Sequence, residues 1–165
     1  MKGILFTILS ISVFASCKKS NNNNCINEQL SWEFQTGKQI DSLKNPDPGF
    51  TRSPYLYSLN NGSNTVFIFR KIFADCPEVV DDEGYRDIVF QVPSDVTSFQ
   101  LNDSVELTNA RAWSQQYCYG CDGGHAITSG SIDGYKKSDN TWHINAALPA
   151  LAPPVNFQAD FIKKN

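Results

Sequence analysis

The sequence has no excess of positive charge: 14 lysines and arginines stand against 17 acids, for a net charge of -3. A protein that neutralises a phosphate backbone needs the opposite balance, so nucleic acid is not an expected partner. Catalytic signatures are missing as well. The G-x-S-x-G elbow, a helical H-E-x-x-H, a phosphate loop ending in Gly-Lys-Ser/Thr and G-x-G-x-x-G are all absent. A glycosidase-type acid pair is defined by separation in space, so an enzyme is not excluded, but the expectation is a non-catalytic role. Long apolar runs are also lacking. Ile4 to Phe14, broken only by Thr and Ser, would extend ~17 Å as a helix against the ~30 Å of a bilayer core, so no permanent helical span is expected. What the chain does have is 165 residues, 41% of them apolar and 12% aromatic, which suits one compact core.

Met1-Lys2 form a short cationic start before that apolar run, and Ala15-Ser16 stand directly before Cys17, the layout of an export signal. This segment resembles the lipobox of bacterial lipoproteins, with Phe14 where that family most often has Leu. Lys18 and Lys19 after the cysteine make it similar to lipoproteins of Bacteroidota, and Lys18 is not the aspartate associated with inner-membrane retention. The resemblance implies a signal peptide over residues 1–16, acylation of Cys17 and a lipid anchor in the bacterial outer membrane. Two or three acyl chains make release negligible, where one holds only marginally. Ser20 and Asn21 to Asn24 would complete a polar tether over residues 17–24, reaching at most ~25 Å from residue 18 when extended. One domain over residues 25–165 follows, in which no family motif stands out.

From Ser31 onward no stretch sustains a 3.6-residue apolar period over a dozen positions, whereas period-two alternation and turn signals recur. The domain is therefore expected to be all-β. Strands are predicted at Ser31–Gln35, Tyr55–Leu59, Thr65–Phe73, Arg86–Val92, Ser98–Leu101, Ser104–Ala112, Ala126–Lys136, Thr141–Leu148 and Val155–Ile162. Between them, Asn60-Asn61-Gly62-Ser63 and Ser138-Asp139-Asn140 read as turns. A three-residue loop at Ser138–Asn140 would set Trp142 opposite Lys136, Ile144 opposite Gly134, Ala146 opposite Ile132 and Leu148 opposite Gly130. Nine such strands fit an antiparallel β-sandwich, the preferred reading, or a calycin-like β-barrel.

With Cys17 assigned to lipid, Cys25, Cys76, Cys118 and Cys121 remain, and an even number in an exported chain reads first as disulfides. Three pairings are open. The run Cys118-Tyr119-Gly120-Cys121-Asp122-Gly123-Gly124-His125 also offers two thiolates and an imidazole, so Cys118, Cys121 and His125 with Cys76 or Cys25 would suit zinc or copper. A thiol-redox role for CxxC is the companion alternative, although a Gly-Gly loop rather than a helix follows it. No cofactor is required by the preferred disulfide reading. His143, predicted opposite Tyr135, lies too far along the chain to join His125.

Trp113, Tyr117 and Tyr119 beside Asp122 and His125 would make a sugar-stacking platform, although in an extended chain Val105, Leu107, Trp113, Tyr117 and Tyr119 also share one face and read first as core. Asp81-Asp82-Glu83 before Gly84 reads as a solvated turn, lacking the alternating acids of a calcium loop. The expected function is thus a lipid-anchored outer-envelope domain that binds a glycan, peptide or partner protein. The alternative is a metal-binding or thiol-redox protein working through the CxxCxxxH cluster.

Overall fold

The computed structural model describes residues 27–44, 55–73, 84–118, 121 and 123–164. Among them are nine strands and one short helix: β1 (Gln29–Lys44), β2 (Tyr55–Ile72), β3 (Tyr85–Pro93), β4 (Ser98–Leu101), α1 (Ser104–Asn109), β5 (Trp113–Tyr117), β6 (Gly124–Ala126), β7 (Ser131–Ser138), β8 (Thr141–Leu148) and β9 (Val155–Lys163). The protein is all-β, as the alternation predicts. The strands form one sheet in the order β4-β7-β8-β9-β1-β2-β3-β5-β6. Every pairing is antiparallel except the short β9–β1 seam, where Glu33 and Phe34 lie beside Ile162 and Lys163.

The sheet folds back on itself at that seam into two facing leaves, giving a sandwich-like form that does not close into a barrel. Cross-leaf ring contacts show the facing: Phe67 on β2 meets Trp142 on β8 edge-on at 5.3 Å, and Phe90 on β3 meets Phe99 on β4 at 5.7 Å. Phe34, Phe67, Phe90 and Phe161 are fully buried there with Ile88, Ile132, Ile144 and Leu148. Gly134 makes room for this packing, since a Cβ there would run into Ile144 and Phe99.

A third layer was not anticipated. The β1–β2 hairpin is far longer than the separate strands predicted at Ser31–Gln35, Tyr55–Leu59 and Thr65–Phe73, because the chain continues as strand through Asn60-Asn61-Gly62-Ser63. Those residues form a bulge, not a turn. Opposite them Gly37 takes a left-handed φ of +70°, which only glycine adopts without strain. Beyond the bulge the hairpin tip lies over the outer face of β2, β3 and β5, where Ile40, Tyr57 and Leu59 pack on Val66, Ile68, Val89 and Trp113. Covered on both faces, β3 is buried at seven consecutive positions, Arg86 to Val92.

The predicted strand Ser104–Ala112 is instead α1 and its C-terminal turn. Asp103 caps the helix by accepting from the backbone N–H groups of Val105 and Glu106, at 2.9 and 2.8 Å, which satisfies two first-turn donors that have no partner within the helix. Leu107 enters the core and Val105 faces solvent, so the two do not share a face. After the helix, Arg111 sits at φ 48°, a left-handed conformation unusual for a side chain this large. Its guanidinium reaches the hairpin tip, donating to the Ile40 carbonyl and to Asp41 Oδ1.

The predicted strand Ala126–Lys136 is interrupted: β6 ends at Ala126 and β7 begins at Ser131. The β7–β8 register holds for Lys136–Trp142, Gly134–Ile144 and Ile132–Ala146, and His143 lies opposite Tyr135. Ser138 pairs with Thr141, so the loop is two residues long with an irregularity at Lys137, and Gly130 falls outside the ladder. Among the described residues no helix is long and apolar enough to cross a membrane.

Candidate functional site

The inner faces of the leaves part at one end of the sandwich, leaving an open cleft of about 750 Å³. Strand register places its lining. Trp32 on β1 is opposite Phe69 on β2, Lys71 on β2 is opposite Arg86 on β3, and Arg86 is opposite Gln116 on β5, so all five face the same way. Phe157 comes from β9 on the other leaf. Trp32 stacks on Phe69 at 4.4 Å between centroids and tilts onto Phe157 at 5.0 Å, giving the cleft an aromatic wall. At the rim Lys71 is paired with Glu28 at 2.7 Å.

Arg86 lies at the back of the cleft, only 7% exposed. Its Nη2 donates to Gln116 Oε1 at 2.6 Å and to the Ala152 carbonyl at 2.7 Å, and Nη1 donates to the Pro153 carbonyl at 3.2 Å. These neutral acceptors satisfy hydrogen bonds without cancelling charge. Among the described residues no carboxylate forms an ion pair with it, and burial pushes its guanidinium below the ordinary arginine range.

The other arginine near this end is differently placed. Arg70, on the outer face, makes two 2.7 Å hydrogen bonds to the fully buried Asp87 and lies 4.3 Å over the Tyr85 ring. Tyr57 completes the cluster by donating to Asp87 Oδ2 at 2.5 Å. Burial, then the Asp87 charge, raises the Tyr57 phenol well above its usual range, while the hydrogen bond to Asp87 raises the Arg70 guanidinium.

The residues singled out in the sequence are distributed over both faces. Trp113 and Tyr117 point outward: Trp113 packs beneath the hairpin tip and donates to Gln115 at 3.3 Å, and Tyr117 stacks on Tyr85 at 4.4 Å. Both rings are engaged in packing. His125 pairs with Ser114 on the opposite face, where it is exposed beside a hollow of about 390 Å³ lined also by Arg86, Gln116 and Cys121. The structure therefore does not bring His125 onto one platform with Trp113 and Tyr117. Tyr119 and Asp122 lie outside the described residues, as do Cys17, Cys25 and Cys76.

Cys118 and Cys121 are joined as a disulfide with Cα atoms 5.3 Å apart, the adjacent pairing among those left open. In this form both sulfurs that would ligate zinc or copper are bonded to each other. Among the described residues no group of three or more His, Cys, Asp or Glu side chains is placed to hold a metal ion.

Arg86, Trp32, Phe69 and Phe157 were not singled out from the sequence, although a signal existed. Arg86, Ile88, Phe90 and Val92 alternate along one predicted strand, so an arginine occupies a position in an apolar register. Comparison with family models, characterised proteins and solved structures finds no match.

Proposed function

We propose that the protein is a lipid-anchored binding protein of the bacterial outer envelope, held to its membrane through Cys17, and that it takes its ligand into the cleft between the leaves. The observation that carries this reading is an open cleft whose aromatic wall, the half-buried Trp32 and Phe157 over the buried Phe69, is set against the buried Arg86. Ligand sites are concave and combine apolar and aromatic lining with a few fixed polar groups, which is the make-up of this cleft. No nucleophile or acid–base pair is needed for such a role. The lipobox and the polar tether to Asn24 supply the membrane half of the reading.

The test uses the full-length product isolated from cells and placed in lipid nanodiscs, with empty discs subtracted. Mass spectrometry should find acyl chains on Cys17. A neutral naphthyl probe that brightens in apolar surroundings should bind saturably, and Phe157→Arg should abolish that binding by filling the cleft. A probe titration that Phe157→Arg leaves unchanged would refute the cleft, and an unacylated Cys17 would refute the anchor.

A further inference from the structure

We infer that the ligand of this cleft is an apolar carboxylate, a small molecule whose acid group meets Arg86 while its hydrocarbon or aryl body lies against Trp32, Phe69 and Phe157. This rests on the binding role proposed above and specifies its chemistry. The first ground is charge. Arg86 is a cation taken out of water whose named partners, Gln116 Oε1 and the carbonyls of Ala152 and Pro153, are all neutral. A buried charge left without a counter-ion is costly, so an arriving anion gains both the ion pair and relief of that cost. The three named hydrogen bonds use both Nη2 protons and one on Nη1, leaving Nε–H and one Nη1–H, which point apart, so an oxygen acid would be met by one of them through a single charge-assisted bond.

The contrast with Arg70 is the second ground. There the protein supplies its own carboxylate, Asp87, with two 2.7 Å contacts. At Arg86 the equivalent partner is missing among the described residues, and the cleft opens in its place. The third ground is the rest of the lining. Lys71 is occupied by Glu28, so the rim is nearly neutral and Arg86 is the one buried cation the cleft offers among the described residues. A highly charged ligand such as a polyphosphate would find one positive group and an aromatic wall. A singly charged acid with an apolar body matches both.

The experiment compares 4-phenylbutyrate with 4-phenylbutan-1-ol, which share one body and differ in the charge of the head. Each is titrated into the nanodisc-held full-length protein, with Trp32 fluorescence as readout and Trp32→Phe as the control that removes the signal. The acid should bind about tenfold to a hundredfold more tightly than the alcohol, the range for one charge-assisted contact. Arg86→Gln should erase that preference while leaving alcohol binding in place, and Arg86→Lys should restore part of it. Should Arg86→Gln fail to fold, the wild-type comparison of acid with alcohol still decides. Equal binding of acid and alcohol to the wild type would overturn the inference and leave the cleft standing. Binding of the neutral naphthyl probe with no response to either phenylbutyl compound would also overturn it, whereas failure of the naphthyl probe itself counts against the binding role.

Discussion

Between the leaves, Phe67 alone touches five aromatic rings, those of Phe34, Phe90, Phe99, Trp142 and Phe161. Beneath the hairpin tip the buried cluster is four aliphatic residues, Ile40, Val66, Ile68 and Val89, ringed by polar attachments. Those attachments are specific: the Ile40 N–H donates to Gln91 Oε1 at 2.7 Å, Tyr57 donates to Asp87, and Arg111 holds Asp41 at 2.8 Å. Aromatic burial removes a large apolar area from water, whereas a hydrogen bond to a buried group is short and directional and fixes position within a few tenths of an ångström. The interior therefore supplies most of the stability, and the outer layer spends its few contacts on placing the tip.

The sharpest test of that division is Phe67→Ala. Loss of a fully buried ring that touches five others should cost about 3–5 kcal/mol and lower the urea midpoint of the whole fold, inner and outer layers together. If only the tip loosened, the division would be wrong. Asp87→Asn should act on the other side of it. The side chain is fully buried while its partner Arg70 is 38% exposed, so about 2 kcal/mol is expected, less than for a pair buried on both sides. Hydrogen exchange should rise first at Ile40 and its neighbours in the tip, with the β7–β8 amides protected.

The smallest effect is one of pH. Hydrogen bonds from Asn60 and then Arg111 hold the Asp41 carboxyl below its ordinary 3.8. Its folded value is thus lower than its unfolded one, so its contribution is present above about pH 4 and fades as pH falls through the lowered value. Acidification should shift the Asn60 side-chain amide resonance before any inner-core methyl responds. A core response at the same pH would erase the distinction between layers.

Much of the inner sandwich was legible because one face of each strand is solvated. β8 was predicted with its observed ends, Thr141 and Leu148, since Trp142, Ile144, Ala146 and Leu148 alternate cleanly with polar residues. The hairpin tip was not legible. Its bulge uses Asn60, Asn61, Gly62 and Ser63, residues that also make tight turns, and composition does not separate the two geometries. α1 spans six residues, too few to display a helical period, and its local marks are the Asp103 cap and Glu106 three residues on, which accepts from the Asn102 N–H. At the cleft, Arg86 stood in the right register to be noticed. Its neighbours did not, because Trp32, Phe69 and Phe157 come from three strands far apart in sequence and meet only when the sheet folds over.

The parallel seam between β9 and β1 has a consequence for biogenesis. The segment synthesised near the end of the chain docks beside the one synthesised near the beginning, Ile162 against Glu33. The aromatic interior therefore cannot be sealed until β9 has been synthesised and has reached β1.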